Sequence, residues 1–221
     1  CVDSRVREDE SAKRGIPAGK NDPEKIIDFV RMLEPSVGAV NLEDISQPDC
    51  FRVLDELREV CDIPVWHDDA QGTACVTLAG LINALHLAGK TLKDAKIVLL
   101  GAGASNTTIA RLILADGGKG ENMIVCDSRG ALHAGRADIE KDARYYRKWE
   151  ICTQTNPGRV ETIEDAIKDP QARNSRYVIN HALRFGTTPQ QLLDMTRGPE
   201  GHTLHVHPAQ LYASVDGLLL A

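Results

Sequence analysis

Apolar positions along the chain alternate between helical and strand spacing from about residue 22 onward. Ile26, Ile27, Val30 and Leu33 recur at the three-to-four-residue interval of one helix face, behind Asp22 as a cap and Pro23 in the first turn, which predicts a helix ending near Leu33. Val37 to Leu42 then reads as a short buried strand ending in Glu43-Asp44. Phe51, Leu54, Leu57 and Val60 mark a second helix, and Ile63 to Trp66 a second strand, ending in His67-Asp68-Asp69. After Gln71-Gly72-Thr73, the pattern through Leu78, Leu81, Ile82 and Leu85 predicts a long helix closed by Gly89.

The next stretch is the most regular. Lys96 to Leu100 is a continuous apolar run, as expected of a strand covered on both faces, and it enters Gly101-Ala102-Gly103. A helix through Ile109, Leu112 and Ile113 follows, and Met123 to Asp127 is a further buried strand, so Lys96 to Asp127 reads as one βαβ unit of a parallel sheet. The fold class expected is α/β: a Rossmann-like doubly wound parallel sheet, preceded by the end of a smaller α/β domain. Residues 1–88 are assigned to a partial substrate- and metal-binding domain, 89–168 to a NAD-binding domain, and 169–221 to a tail without assignment. Before this order, Arg5 to Asn21 reads as a charged loop. After Asn156-Pro157, Glu161 to Lys168 reads as a short helix and Tyr177 to Asn180 as one more strand.

Composition narrows the chemistry. The chain has 221 residues, a formal charge of -6 and 42% hydrophobic residues, the profile of a folded globular protein with no basic face for nucleic acid. No apolar run approaches the ~20 residues that cross a bilayer, and no membrane role is expected. Six cysteines without a CxxC pair point to reduced thiols and a cytoplasmic setting. The chain opens at Cys1 rather than Met, which suggests a piece of a longer protein.

Two constellations carry chemistry. Gly101-Ala102-Gly103-Ala104-Ser105-Asn106 lies between a strand and a helix, with Asp127 ending the next strand. The glycines allow a tight turn and close approach of the main chain to a pyrophosphate, which meets the positive end of the helix. Asp127 is placed to accept from the ribose hydroxyls and to repel a 2′-phosphate, favouring NAD over NADP. Asn106 departs from the third glycine or alanine of the fingerprint and suggests weakened affinity. The second constellation is acidic: Glu43-Asp44 and Asp68-Asp69 end neighbouring strands, where converging carboxylates call for a counter-cation such as Mg²⁺ or Mn²⁺. His67 is read as a hydrogen-bonded neighbour of these carboxylates, and Lys20 as a solvated loop residue.

Asn41-Leu42-Glu43-Asp44-Ile45, Ile63 to Ala74 with its His-Asp-Asp-Ala-Gln-Gly-Thr core, Gly101 to Ala104 and Val125 to Gly130 together resemble the malic enzyme family, over roughly residues 23–168. The resemblance implies oxidative decarboxylation of malate to pyruvate with NAD and a divalent metal. It implies Glu43, Asp44 and Asp69 as metal ligands, a catalytic place for Asp68 beside the family's lysine, and Thr73 near the nicotinamide. It also implies a homo-oligomer, expected as a dimer. The family's proton-transferring Lys and Tyr lie upstream of the stretch matching Cys1-Val2-Asp3, so the activity expected of this chain by itself is low. A non-catalytic nucleotide-binding module and a malolactic enzyme are the alternatives. Gln171 to Ala221 does not follow the family; His202, His205 and His207 fall there, and His207 to Tyr212 resembles a short motif of prolipoprotein diacylglyceryl transferase.

Overall fold

The computed structural model of the chain describes residues 22–162, together with positions 11, 165 and 166. Helix α1 (Pro23–Leu33) begins where the sequence places it: the Asp22 carboxylate accepts from the main-chain N–H of Glu24 at 3.1 Å, and Pro23 fills a first-turn position whose N–H has no helical partner. Ile27 and Val30 face α2 (Asp49–Val60), which buries Cys50, Phe51, Val53, Leu54 and Leu57.

Strands β1 (Val40–Leu42) and β2 (Val65–His67) pair in parallel, with Val40 opposite Val65 and Leu42 opposite His67. Both start later than their apolar runs suggest. A single 3-10 turn over Glu34–Ser36 prolongs the end of α1, and Pro64 has no N–H to donate, its carbonyl accepting instead from Val40 N at 2.9 Å. β2 also extends one residue further than expected, through His67.

One turn of π-helix, Asp68–Gly72, leads from β2 into α3 (Thr73–Leu87). Gly89 closes α3 as expected, at φ +64°, with Lys90 N donating to Leu85 O at 2.9 Å and Gly89 N to His86 O at 3.1 Å. The βαβ unit follows as β3 (Ile97–Leu100), α4 (Ala104–Ala115) and β4 (Met123–Asp127), with β3 and β4 parallel from Ile97 opposite Met123 to Leu100 opposite Cys126. The chain then turns at Ser128-Arg129 into β5 (Gly130–Ala131), antiparallel to β4 and too short to show as an apolar run. Helices α5 (Ala137–Glu140) and α6 (Tyr146–Gln154) complete the described part.

Apolar packing forms two clusters. One gathers Ile27, Val30, Leu42, Phe51, Leu57, Val65 and Ala70; the other gathers Ala74, Leu81, Leu85, Ile97, Leu99, Ile113, Val125, Leu132 and Ile151. Ala74, Leu81 and Leu85 of α3 pack in the same cluster as the βαβ unit. The arrangement is α/β and Rossmann-like, with parallel pairing in both sheets and one antiparallel addition at β5. Cys50, Cys126 and Cys152 are buried thiols, and no helix among the described residues is long and apolar enough to cross a membrane. Cys1, Lys20, the strand expected at Tyr177–Asn180 and the three tail histidines lie outside the described residues. Of the helix expected at Glu161–Lys168, helical conformation is described at Asp165 and Ala166.

Candidate active site

Parallel pairing of β1 and β2 sets their acidic ends side by side. Asp44 turns there with φ +58°, a conformation that Asp tolerates better than most side chains, and its main-chain N–H donates to Asp69 Oδ2 at 2.7 Å. Glu43 is held differently, its Oε1 accepting from Asn41 Nδ2 at 2.8 Å. Among the described residues no three His, Cys, Asp or Glu side chains stand close enough to form a metal cluster. The structure therefore links Asp44 to Asp69 and leaves Glu43 on Asn41. All three side chains offer carboxylate oxygens, the donor chemistry that suits a hard divalent cation.

The π-helical turn shapes the rest of the acidic end. A Cβ added at Gly72 would fall 2.1 Å from Asp68 Oδ1, so glycine is what allows the Asp68 carboxylate to fold over the main chain of its own turn. Thr73 follows directly and starts α3. His67 differs from expectation. The alternation of β2 buries Val65 and His67 and exposes Trp66, so the imidazole enters the protein interior, where neither ring nitrogen makes a hydrogen bond. Burial pushes its pKa below the ordinary histidine value, against the opposing pull of the Asp69 carboxylate. It is a buried core group whose ring makes no hydrogen bond to the aspartates.

Beside this end stands the glycine turn. Gly101 has φ +94°, which an L side chain rarely adopts, and its N–H extends the sheet by donating to Cys126 O at 2.8 Å. Gly103 precedes α4, and nothing lies within 4 Å of a Cβ added to it, so a ligand can reach this main chain and the unpaired N–H groups of the first helical turn. Asn106 ties the turn closed: Nδ2 donates to Leu100 O at 2.9 Å and to Gly101 O at 2.8 Å. Where the fingerprint has a small residue, this chain has a hydrogen-bonded brace. Two further bonds join the turn to the acidic end. Ser105 Oγ donates to Asp69 O at 2.6 Å, and the Gln47 side-chain amide donates to Ala102 O.

Asp127 ends β4 with its carboxylate only 10% exposed. Oδ1 accepts from Arg129 N at 2.9 Å and Arg136 Nη1 at 3.1 Å; Oδ2 accepts from Arg136 Nη2 at 3.0 Å and Lys148 Nζ at 2.6 Å. Burial alone would raise its pKa, but the hydrogen bonds from Arg136 and Lys148 outweigh it and hold the carboxyl down at about 2. Arg136 is itself shared with Asp138, through Nε at 2.8 Å and Nη2 at 2.8 Å. A cleft of about 550 Å³ opens next to this cluster, between Leu100-Gly101, Asp127 to Gly130 and Glu161-Thr162. Leu100, 55% exposed, offers an apolar wall at the end of β3. Gly101, Gly103, Ala104, Ser105, Asn106 and Asp127, singled out from sequence, stand at the turn and beside the cleft. Sequence reasoning did not single out Gln47, Arg136 and Lys148, which reach these residues through tertiary packing and carry no local motif.

A parallel βαβ unit with this turn, an open helix N-terminus and a cleft beyond the strand ends defines a Rossmann-like dinucleotide-binding domain. Residues 70–173 match the family model described as "Malic enzyme, NAD binding domain". The NADP-dependent malic enzyme of Halomonas elongata is 47% identical over 153 residues, which are 69% of this chain and 34% of that protein. The bifunctional malic/malolactic enzyme of Bacillus subtilis is 42% identical over 155 residues, 70% of this chain and 36% of that protein. The crystal structure of Entamoeba histolytica malic enzyme superposes with a TM-score of 0.68 at 53% identity, covering 75% of this chain and 32% of that one. The matched stretch of this chain belongs to the malic enzyme family. Both NADP- and NAD-dependent forms occur among its relatives, and the chain spans 15% to 36% of the length of the first curated relatives it matches.

Proposed function

We propose that the protein to which this chain belongs converts malate to pyruvate by oxidative decarboxylation, with a nicotinamide dinucleotide and Mg²⁺ or Mn²⁺. The observation that carries the reading is the double role of Asp69: its carboxylate accepts from Asp44 N and its carbonyl accepts from Ser105 Oγ. The acidic end and the glycine turn are thus joined through one residue, as a reaction passing hydride from a metal-held hydroxy acid to a dinucleotide requires.

Glu43, Asp44 and Asp69 would supply the oxygen ligands, and a bound divalent ion would acidify the substrate hydroxyl and stabilise the enolate left by loss of CO₂. Asp68, folded over Gly72, stands at the same end and is assigned to the proton-transfer apparatus. Gly101 to Asn106 would hold the pyrophosphate and Thr73 would lie near the nicotinamide. NAD is the acceptor first assigned, on the strength of Asp127 at the ribose position. Small-molecule substrates, a cytoplasmic setting consistent with the free thiols and a homodimer complete the reading.

A malolactic outcome is the second reading, favoured by the likeness to the bifunctional Bacillus subtilis enzyme. Isothermal titration of the chain with Mn²⁺ and with NADH tests the joint site. Both ligands are expected to bind, with the Mn²⁺ heat lost in Asp69→Asn. No Mn²⁺ binding by the wild type would sink the metal assignment. For the protein carrying this chain, incubation with malate, Mn²⁺ and NAD should yield pyruvate and NADH; lactate without net NADH would select the malolactic reading.

A further inference from the structure

Consecutive main-chain carbonyls run through the glycine turn from Leu100 to Gly103, and each of them is taken by a named donor. Asn106 Nδ2 donates to Leu100 O and Gly101 O, and Thr107 N makes the first helical bond of α4 to Gly103 O at 3.1 Å. The remaining carbonyl, of Ala102, is reached from outside the βαβ unit: the Gln47 side-chain amide donates to it. Gln47 lies in the segment between β1 and α2, just after Asp44, and 55 residues separate it from its partner. Ala104, on the other side of the turn, packs against the apolar cluster of α1 and α2, so the turn abuts the element that carries Gln47.

Holding one carbonyl also aims an N–H. The Ala102–Gly103 peptide is planar and trans, so its N–H points opposite to its C=O. Ala102 is 4% exposed, whereas Gly101 and Gly103 on either side of it are exposed. With the carbonyl drawn to Gln47, the Gly103 N–H points away from Gln47, on a residue with open surroundings: nothing lies within 4 Å of a Cβ added there. An anion is attracted by N–H dipoles and repelled by C=O dipoles, so a phosphate at this turn gains from every carbonyl held elsewhere. Without a Cβ, Gly103 also offers little resistance to the peptide turning over, which would reverse the two groups.

The fold is not what benefits from Gln47. Its Oε1 is buried and meets no donor among the described residues, and a buried acceptor left unpaired destabilises the folded state. An aliphatic side chain of similar size would fill the same space without that loss. We propose that Gln47 is a positioning residue of the dinucleotide site: it fixes the Ala102–Gly103 peptide with its carbonyl inward and its N–H toward the phosphate, while its own Oε1 stays unpaired. The loop that follows the acidic end thereby orders the phosphate-binding turn. The inference rests on the dinucleotide site of the preceding section and assigns it a residue from outside the βαβ unit.

Fluorescence titration with NADH and thermal melting without ligand, on the wild-type chain, Gln47→Leu and Gln47→Glu, test the assignment at pH 8. Gln47→Leu removes the donor and the unpaired acceptor together. NADH is expected to bind about tenfold more weakly to it, while its melting midpoint stays level with the wild type or rises. Gln47→Glu keeps the shape, removes the donor and sets a carboxylate against the Ala102 carbonyl, so NADH should bind at least as weakly as to Gln47→Leu. Wild-type NADH affinity in either variant overturns the proposal while keeping the dinucleotide site. A Gln47→Leu midpoint that falls together with NADH affinity also overturns it, and makes Gln47 a brace of the fold. Failure of the wild type to bind NADH overturns that site and this inference with it.

Discussion

The Ser105 hydroxyl donates to the Asp69 carbonyl at 2.6 Å, which fastens the first turn of α4 to the π-helical turn that follows β2. Asp69 presents its carboxylate to Asp44 N from the same residue, at 2.7 Å, so any shift of its main chain moves an expected metal ligand. Ser105→Ala is therefore expected to loosen the acidic end without dismantling the helix. A hydrogen bond of this kind contributes about 1 kcal/mol, so Mn²⁺ should bind about fivefold more weakly, read from the free-Mn²⁺ electron paramagnetic resonance signal. Unchanged Mn²⁺ affinity in a folded Ser105→Ala chain would show that the bond does not position Asp69.

Asn106 gives a prediction that runs against the motif. The dinucleotide fingerprint wants glycine or alanine there, yet Asn106 Nδ2 spans the carbonyls of Leu100 and Gly101 and holds the turn shut. Asn106→Gly removes both bonds and adds backbone freedom to the first turn of α4, at a cost of roughly 1 to 3 kcal/mol. The melting midpoint should fall, and NADH should bind several-fold more weakly in a fluorescence titration. Tighter NADH binding would mean that side-chain bulk, not turn order, limits the site.

Local patterning along the chain encodes much of this architecture. The Asp22 cap, the Gly89 terminator and the βαβ unit from Ile97 to Asp127 are short-range signals: a side-chain acceptor, a left-handed residue, a buried apolar run on either side of a glycine turn. Tertiary relations were less accessible. Whether Asp127 stands free or clamped depends on Arg136, at the start of α5, and Lys148, on α6, and sequence distance does not encode that approach. His67 failed for a related reason, since a three-residue strand offers too little alternation to say which face its last residue takes.

The clamp on Asp127 also predicts acid sensitivity. Its folded pKa of about 2 lies below the ordinary 3.8, so the ionised carboxylate favours the folded state. That contribution is fully present above about pH 4 and is lost as pH falls through 2. Its size is on the order of 2 kcal/mol. Urea denaturation of wild type and Lys148→Met should show the variant less stable at pH 7, with the gap narrowing between pH 4 and pH 2. A gap of constant size across that range would place the Lys148 contribution in packing rather than in its charge.

The last prediction concerns the join between the two apolar clusters. Asp55, on α2, reaches α6: Oδ2 accepts from the Tyr146 hydroxyl and from Arg147 Nη2 at 2.8 Å and Nε at 3.2 Å. Burial raises the pKa of the Tyr146 phenol, and its hydrogen bond to Asp55 and the charge of that carboxylate push it the same way. The neutral phenol is thus favoured in the folded state, so its contribution is full below the unfolded tyrosine value near 10 and is lost as pH rises beyond it. Asp55 and Arg147 are 34% and 24% exposed at their side chains, so the ion pair by itself should contribute under about 1 kcal/mol after solvent screening. Convergence of three donors on one carboxylate oxygen raises the expected loss for Asp55→Ala to about 1 to 2 kcal/mol at pH 7. Tyr146→Phe should cost about 1 kcal/mol, and the double variant less than the sum, because both changes remove the same bond. Chemical denaturation of the four chains at pH 7 supplies the cycle. Strict additivity would show that Tyr146 and Asp55 stabilise the protein separately, and that helix α6 is held to α2 by Arg147 alone.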